Sequence, residues 1–223
     1  MKKLIITAAF ILLVLSCGTS DPIGPSPSPD AEFYPLTVGN QWVYDRIGMI
    51  MDGDSLTGTL TGTSTLEITG TETHSEGFDV FVQENEVIDT LVMGSMVMII
   101  DTTYTSYLRV TDSGLFGYPH LTDTDSSFTI PFPIVNGAVW SFSEEPPMTG
   151  MILSVTENVT VSAGTFEDCM ELQLTWISGG NTVSNTTDSA KNVGKVRNVF
   201  VQSTGAVITT ITEELESYTV SVF

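Results

Sequence analysis

From Phe33 onward, apolar and polar residues alternate with a period of two, and Thr, Val and aromatic residues recur within the alternation. Successive side chains of a strand point to opposite faces, so this is the pattern of strands with one buried and one solvated face. No stretch of ten or more residues carries a clean 3.6-residue apolar period, and no long amphipathic helix is predicted. The clearest strand is Thr57 to Thr73, with Thr at 57, 59, 61, 63, 65, 69, 71 and 73 and with Leu56, Leu60, Leu66 and Ile68 on the opposite face. Thr suits a solvated pleated face, so the leucines and Ile68 are expected to pack inward. The alternation breaks at Asp52-Gly53-Asp54-Ser55, Ser75-Glu76-Gly77, Asp112-Ser113-Gly114, Gly179-Gly180-Asn181 and Ser203-Thr204-Gly205, residues that make tight turns. Short turns join antiparallel neighbours. The expected fold is all-β, an antiparallel meander forming a curved sheet, barrel or sandwich.

The meander carries an internal match. Tyr34-Pro35-Leu36-Thr37-Val38-Gly39-Asn40-Gln41-Trp42-Val43-Tyr44 aligns without gaps on Phe132-Pro133-Ile134-Val135-Asn136-Gly137-Ala138-Val139-Trp140-Ser141-Phe142. A second match, Leu66-Glu67-Ile68-Thr69 against Leu153-Ser154-Val155-Thr156, follows in the same order, and Gly77-Phe78 falls against Gly164-Thr165-Phe166. Two related halves are expected, about 33–130 and 131–223. Proline opens a strand where no ladder N–H is needed, glycine makes the turn, and Trp with its alternating aromatic buries a large area. Trp42 and Trp140 are therefore expected core anchors.

The start of the chain follows another rule. Lys2 and Lys3 precede an apolar run from Leu4 to Leu15 broken only by Thr7. As a helix these residues would reach about 18 Å, short of the roughly 30 Å hydrocarbon core, so residues 1–16 read as a secretory leader. Val14-Leu15-Ser16-Cys17 resembles the lipobox of bacterial lipoproteins. That resemblance implies diacylglycerol on the Cys17 sulfur, cleavage before Cys17, and an acyl chain such as palmitate on the new amine. Cys17 is the one candidate modification site, and the lipid on Cys17 is the expected link to a membrane. Gly18 to Asp30 holds prolines at 22, 25, 27 and 29 and reads as a semi-stiff tether of up to about 40 Å. Residues 17–30 are thus the lipidated Cys and tether, and 31–223 a single domain. Gly18 is not an acidic retention residue, which points to the outer membrane of a bacterial envelope.

Charge narrows the partners. Loss of Lys2 and Lys3 with the leader takes seven Lys and Arg to five, against 27 Asp and Glu, a mature net charge of −22. Such a surface repels nucleic acid and anionic headgroups. With Cys17 lipidated, Cys169 stands alone and no intramolecular disulfide can form. Glu167, Asp168 and Glu171 around it raise rather than lower a thiol pKa, so Cys169 reads as a small buried residue.

Candidate chemistry is sparse. His74 and His120 fall in no nucleophile or zinc pattern, and no catalytic residue, cofactor or metal site is assigned. Asp52-Gly53-Asp54-Ser55 and Asp123-Thr124-Asp125-Ser126 begin like calcium loops but lack the later acidic ligand. The run Leu91-Val92-Met93-Gly94-Ser95-Met96-Val97-Met98-Ile99-Ile100, joined in composition by Met49, Met51, Met148 and Met151, reads as an ordinary buried strand with its neighbours. Its alternative is an adaptable apolar surface for lipid or protein.

The chain also resembles a group of uncharacterised secreted and lipid-anchored bacterial proteins. The likeness rests on Tyr34-Pro35-Leu36-Thr37-Val38-Gly39-Asn40-Gln41-Trp42-Val43-Tyr44, Val161-Ser162-Ala163-Gly164-Thr165-Phe166-Glu167-Asp168-Cys169, Val193-Gly194-Lys195-Val196 and Glu214-Leu215-Glu216-Ser217-Tyr218. It implies an antiparallel β domain of unknown function in the cell envelope. Some such proteins look like the half-barrels that ferry lipoproteins, although those pack helices on their sheet. Two functions follow as expectations. A structural or interaction module, partnered by another envelope protein, predicts fully packed methionines and no sizeable apolar cavity. A carrier of lipid or another apolar ligand predicts that Met49, Met51, Met96 and Met98 face a common void.

Overall fold

The computed structural model describes residues 28–144 and 147–221. The leader, Cys17 and most of the tether lie outside the described residues. Pro29–Phe33 form a short 3-10 helix that starts two residues before the expected domain boundary at 31. Four long strands follow, β1 (Gln41–Asp52), β2 (Ser55–Thr73), β3 (Asp79–Met93) and β4 (Met96–Thr111), then two short ones, β5 (Gly114–Tyr118) and β6 (Phe128–Pro131). The second run comprises β7 (Val139–Glu144), β8 (Pro147–Val161), β9 (Gly164–Ser178), β10 (Asn181–Ala190), β11 (Gly194–Thr204) and β12 (Val207–Thr219). All five sequence-predicted turns lie between consecutive strands.

The strands form one antiparallel sheet in the order β6-β5-β4-β3-β2-β1-β12-β11-β10-β9-β8-β7, curled almost into a barrel. Each run is a meander of neighbours, and the pairing of β1 with β12 joins the two. The edge strands, β6 and β7, are consecutive in the chain. Trp140 on β7 crosses the seam between them, its indole Nε1 donating to the Thr129 carbonyl of β6 at 2.7 Å. Its ring covers Gly150 of β8, where a Cβ would collide with the indole.

Alternation decides which face is buried. Trp42, Tyr44 and Arg46 of β1 point inward beside Leu66, Ser64 and Gly62 of β2, while the threonines at 57, 59, 61 and 63 face outward. Leu56 departs from the expectation: it is exposed, because the β1–β2 register shifts between Ile50 and Met51. A shift of one residue in a period-two strand turns a side chain to the other face.

The interior packs as two clusters. One joins Trp42, Tyr44, Ile68, Val159, Cys169 and Leu215. The other gathers Leu108, Leu115, Ile130, Ile152 and Leu172 around Phe33 of the 3-10 helix. The helix is held there by the Asp30 carboxylate, which accepts from the Ile134 amide at 2.9 Å, and by the Glu32 carbonyl, which accepts from the Asn192 amide at 2.7 Å. Burial is the largest influence on the Cys169 thiol, followed by the Asp188 charge, and together they push it up to about 11.

The two matched segments share one turn geometry. Gly39 donates to the Ile68 carbonyl, Ile68 to the Asn40 carbonyl, and Asn40 to the Thr37 carbonyl. Gly137, Ile152, Ala138 and Val135 repeat these three bonds in the same order. Gly39 and Gly137 have φ of 90° and 78°, a left-handed conformation that favours glycine and accounts for the residue at both places. The bonds set Ile68 opposite Ile152, whereas the sequence alignment sets it opposite Val155. Register shifts in β8 after Ile152 account for the difference.

Candidate functional site

The inner face does not close completely. Between the 3-10 helix segment and the walls formed by β1, β3, β4, β10 and β11 lies a cavity of about 470 Å³, within the 300–1,000 Å³ range of small-molecule sites. Its apolar side is formed by Phe33, Leu36, Trp42, Leu108, Leu115 and Leu174. Trp42, Leu108, Leu115 and Leu174 come from strands, while Phe33 and Leu36 come from the 3-10 helix and the segment after it. Trp42 is fixed by donating its indole N–H to the Val193 carbonyl.

The opposite side is polar. Gln83 and Asn85 of β3, Tyr104 and Ser106 of β4, and Asn185 and Thr187 of β10 reach the cavity. Gln83 donates to the Ser106 hydroxyl at 3.2 Å, and Thr187 donates to Asn198 at 2.8 Å. Asn85 donates its amide N–H to the Tyr104 hydroxyl but leaves its carbonyl Oδ1 without a partner, as does Asn185. Asn85 is only 5% exposed. An unpartnered buried acceptor costs about 1–3 kcal/mol, so each of the two marks a place where folding stability is given up. Tyr104 is half exposed and marks the mouth.

Beyond the polar wall lies a buried ion network. Arg46 bridges Asp89, at 3.0 Å, and Glu213, which also takes Lys195 at 2.8 Å. Gly62 stands opposite Asp89, and a Cβ there would collide with the Ile88 carbonyl and the Asp89 carboxylate. Its absence lets Arg46 lie over β2 and β3. Burial alone would raise the Glu213 carboxyl, but the charges and hydrogen bonds of Lys195 and then Arg46 outweigh it and hold the group below the ordinary range. Burial, then the Glu213 charge, raises the Tyr44 hydroxyl well above its usual value. Arg197 pairs with Asp188 at 2.8 Å, yet burial still leaves that carboxyl raised. Lys195 also sits 4.1 Å from the centre of the Tyr44 ring, which fixes its stem along the cavity wall.

The residues singled out from sequence fall elsewhere. Trp42 is buried and lines the cavity, and Trp140, half-buried, closes the seam. His74 is buried just beyond β2, stacked on Phe78 at 4.4 Å, away from the cavity lining. Asp52 and Ser55 flank the β1–β2 turn, and Asp123 accepts from the His120 amide within a loop. Among the described residues no three His, Cys, Asp or Glu side chains converge as a metal site would require.

The methionine-rich run is the main correction. Met96, Val97, Met98 and Ile99 are exposed, Ile99 to 72%, rather than buried in an ordinary strand with its neighbours. Met49 is exposed as well and borders a shallow outer depression with Ile47. None of Met49, Met51, Met96 and Met98 lines the interior cavity, and Met49, Met96 and Met98 are exposed rather than fully packed. The reason is length. β3 and β4 run on past the short β5 and β6, so their far ends lack a facing wall.

The residues that sequence reasoning missed are Asn85, Tyr104 and Asn185. A signal exists for the first, since Gln83 and Asn85 occupy the same alternation phase as Phe81 and Val87, placing amides where a core strand wants apolar side chains.

No family model and no curated protein matches the chain. Among solved structures, it is similar to a candidate lipoprotein of Parabacteroides distasonis, with 20% identity and a TM-score of 0.42, over 84% of this chain and 98% of that one. It is likewise similar to a candidate exported protein with a YmcC-like fold from Bacteroides fragilis, with 14% identity, a TM-score of 0.42 and the same coverage.

Proposed function

We propose that this chain is a binding protein of the bacterial cell envelope, anchored through lipid on Cys17 and holding a small apolar or amphiphilic ligand inside its curled sheet. The observation that carries the reading is the cavity of about 470 Å³, lined by apolar side chains such as Phe33, Leu36 and Leu108 together with the polar Gln83, Asn85, Tyr104 and Asn185. A structural module gains nothing from that arrangement, since apolar residues at 85 and 185 would fill the space and remove the cost. The reading assigns ligand binding rather than catalysis, and the lipobox-like Val14-Leu15-Ser16-Cys17 supports placement at the outer membrane.

The test uses the whole mature chain, residues 17–223, carrying Cys17→Ser so that acyl chains on the protein do not confuse the readout. Native mass spectrometry after mild purification is expected to show a co-purified or added amphiphile in near-stoichiometric amount, released by solvent extraction. A clean apo mass with no uptake of any added amphiphile would sink the reading. In cells, unmodified Cys17 is expected to send the chain to the membrane fraction and Cys17→Ser to release it.

A second reading, an interaction module, is favoured by a separate observation, the exposed apolar hairpin of β3 and β4. In-cell crosslinking from Val97 is expected to capture an envelope protein under that reading, and Val97→Ser, with a crosslinker placed at the neighbouring Ile99, is expected to weaken that capture without emptying the cavity.

A further inference from the structure

We infer that the chain pairs with a second copy of itself along the free edge of β4, the two β4 strands lying antiparallel about a two-fold axis at Met98. The inference stands apart from the cavity and from any ligand in it. Its first support is the backbone. β3 pairs with β4 from Met96 to Leu108, but on the other side β5 pairs only with Tyr107 to Thr111. Among the described residues no strand pairs with that side of β4 from Met96 to Ser106, where alternate residues turn their N–H and C=O groups to solvent. Such an edge accepts another extended strand. A bilayer is a poor occupant, because unpaired backbone groups are not tolerated in hydrocarbon.

The side chains say which strand. No residue between Asp89 and Asp101 is charged. Met96 and Met98 are exposed on one face of the edge and Val97 and Ile99 on the other. A complementary strand is therefore uncharged and apolar on both faces. The tether does not qualify, since prolines at 22, 25 and 27 deny it ladder N–H groups. β4 itself has the required pattern, and every copy of the chain carries it. The mature net charge of −22 opposes association elsewhere on the surface, whereas this stretch lets two copies meet without opposing carboxylates.

Symmetry then selects the register. In an antiparallel pair, residues that exchange hydrogen bonds face one another, so the axis falls on a residue rather than between two. An axis at Met98 sets Met98 against its own copy, Val97 against Ile99 and Met96 against Ile100, apolar on apolar on both faces. Asp101 then faces Ser95. An axis at Asp101 would oppose two carboxylates, and one at Ile99 or Ile100 would set Asp101 against Val97 or Ile99. An axis at Val97 would leave Ile99 and Ile100 against the Gly94-Ser95 turn.

The test follows sedimentation of the whole mature chain carrying Cys17→Ser over rising protein concentration. A monomer–dimer equilibrium is expected. Ile99→Lys alone, or Val97→Glu alone, is expected to weaken it at least about tenfold, since each sets a charge against an apolar side chain. Both positions are exposed, so native circular dichroism is expected in both variants. An equimolar mixture of the two variants is expected to recover most of the wild-type affinity, because the register sets position 99 of one copy opposite position 97 of the other. With an added oxidant, Met98→Cys is expected to give a disulfide-linked dimer and Thr103→Cys, farther along the edge, is not. A chain that stays monomeric at every concentration, a dimer indifferent to both charges, or a mixture no tighter than its components would overturn the pairing. So would a disulfide forming as readily at Thr103→Cys as at Met98→Cys. Capture of a different envelope protein by a chain that stays monomeric would assign the edge to that protein instead.

Discussion

The two ends of the sheet use the same alternating strands and reach opposite outcomes. At the end that carries the 3-10 helix, the inward residues find a partner across the barrel, and Ile68 and Leu215 are completely buried. At the other end, registers bring the β1–β2, β3–β4, β9–β10 and β11–β12 turns together. There Met96, Val97, Ile99, Ile177 and Ile208 are all exposed. The strands differ little in composition. What differs is whether another wall stands opposite, which depends on strand lengths and on where Phe33 docks. Burial in this protein is a property of closure, and the candidate cavity lies where closure is nearly complete.

The sharpest way to break the contrast is paired truncation. Ile68→Ala is expected to cost about 2–5 kcal/mol, as deletions in a packed core do. Ile99→Ala is expected to stay within about 0.5 kcal/mol of wild type. Urea unfolding of the mature chain checks both, and equal costs at the two positions would show that the apolar end is packed in solution.

The ion network supplies the next effect. Glu213→Gln is expected to cost about 2 kcal/mol at neutral pH, less than the roughly 3–5 kcal/mol for stripping one partner from a buried pair, because Arg46 keeps Asp89 and Lys195 is partly solvated. The pH dependence has a definite sign. Glu213 is held below the unfolded carboxylate range, so its contribution is complete above that range and disappears as pH falls through the folded value. Asp188 is raised and acts oppositely, since its carboxylate opposes folding once pH exceeds the unfolded value. Acid unfolding is therefore expected to become shallower in Glu213→Gln and steeper in Asp188→Asn. Urea midpoints between about pH 3 and 7 would measure this, and parallel profiles in the two variants would contradict it.

Smaller still is the comparison between the two tryptophans. Trp42→Phe leaves the Val193 carbonyl without its donor at a buried site, and a loss of about 2 kcal/mol is expected. Trp140→Phe leaves the Thr129 carbonyl at an edge that water can reach, and about 1 kcal/mol is expected. The second variant should nonetheless show the larger rise in amide exchange within β6, since that indole bridges the open seam. Equal exchange in the two variants would mean the seam is held by something other than Trp140.

Much of this was legible in the residues. Period-two alternation marks the all-β fold and turn chemistry marks five of the connections, though the β3–β4 turn at Gly94-Ser95 lay unread inside the methionine run, and Pro-to-Trp spacing marks both copies of the turn at Gly39 and Gly137. The cavity was not legible, because it depends on how far β3 and β10 stand apart, and spacing across a barrel leaves no trace along a strand. Asn85 could have been noticed as an amide in the inward phase. Asn185 could not, lying among Ser184, Thr186 and Thr187 where no phase stands out. The methionine run misled for a physical reason. An apolar run bounded by turns is the signature of a core strand, and nothing in the run itself reveals that β5 and β6 end too soon to cover it.

The smallest stability effect sharpens the comparison most. Val97 and Ile99 face outward on β4, on the side opposite Met96 and Met98, so both faces of this hairpin present apolar side chains to solvent. Replacing Val97 and Ile99 together by Ser is expected to change unfolding free energy by less than about 1 kcal/mol, since neither side chain leaves a packed site. It should still lower binding of a fluorescent apolar dye and the tendency to self-associate. If instead the double variant unfolds readily, the hairpin packs against something within the domain, and the distinction between a closed, ligand-holding end and an open, partner-facing end would disappear.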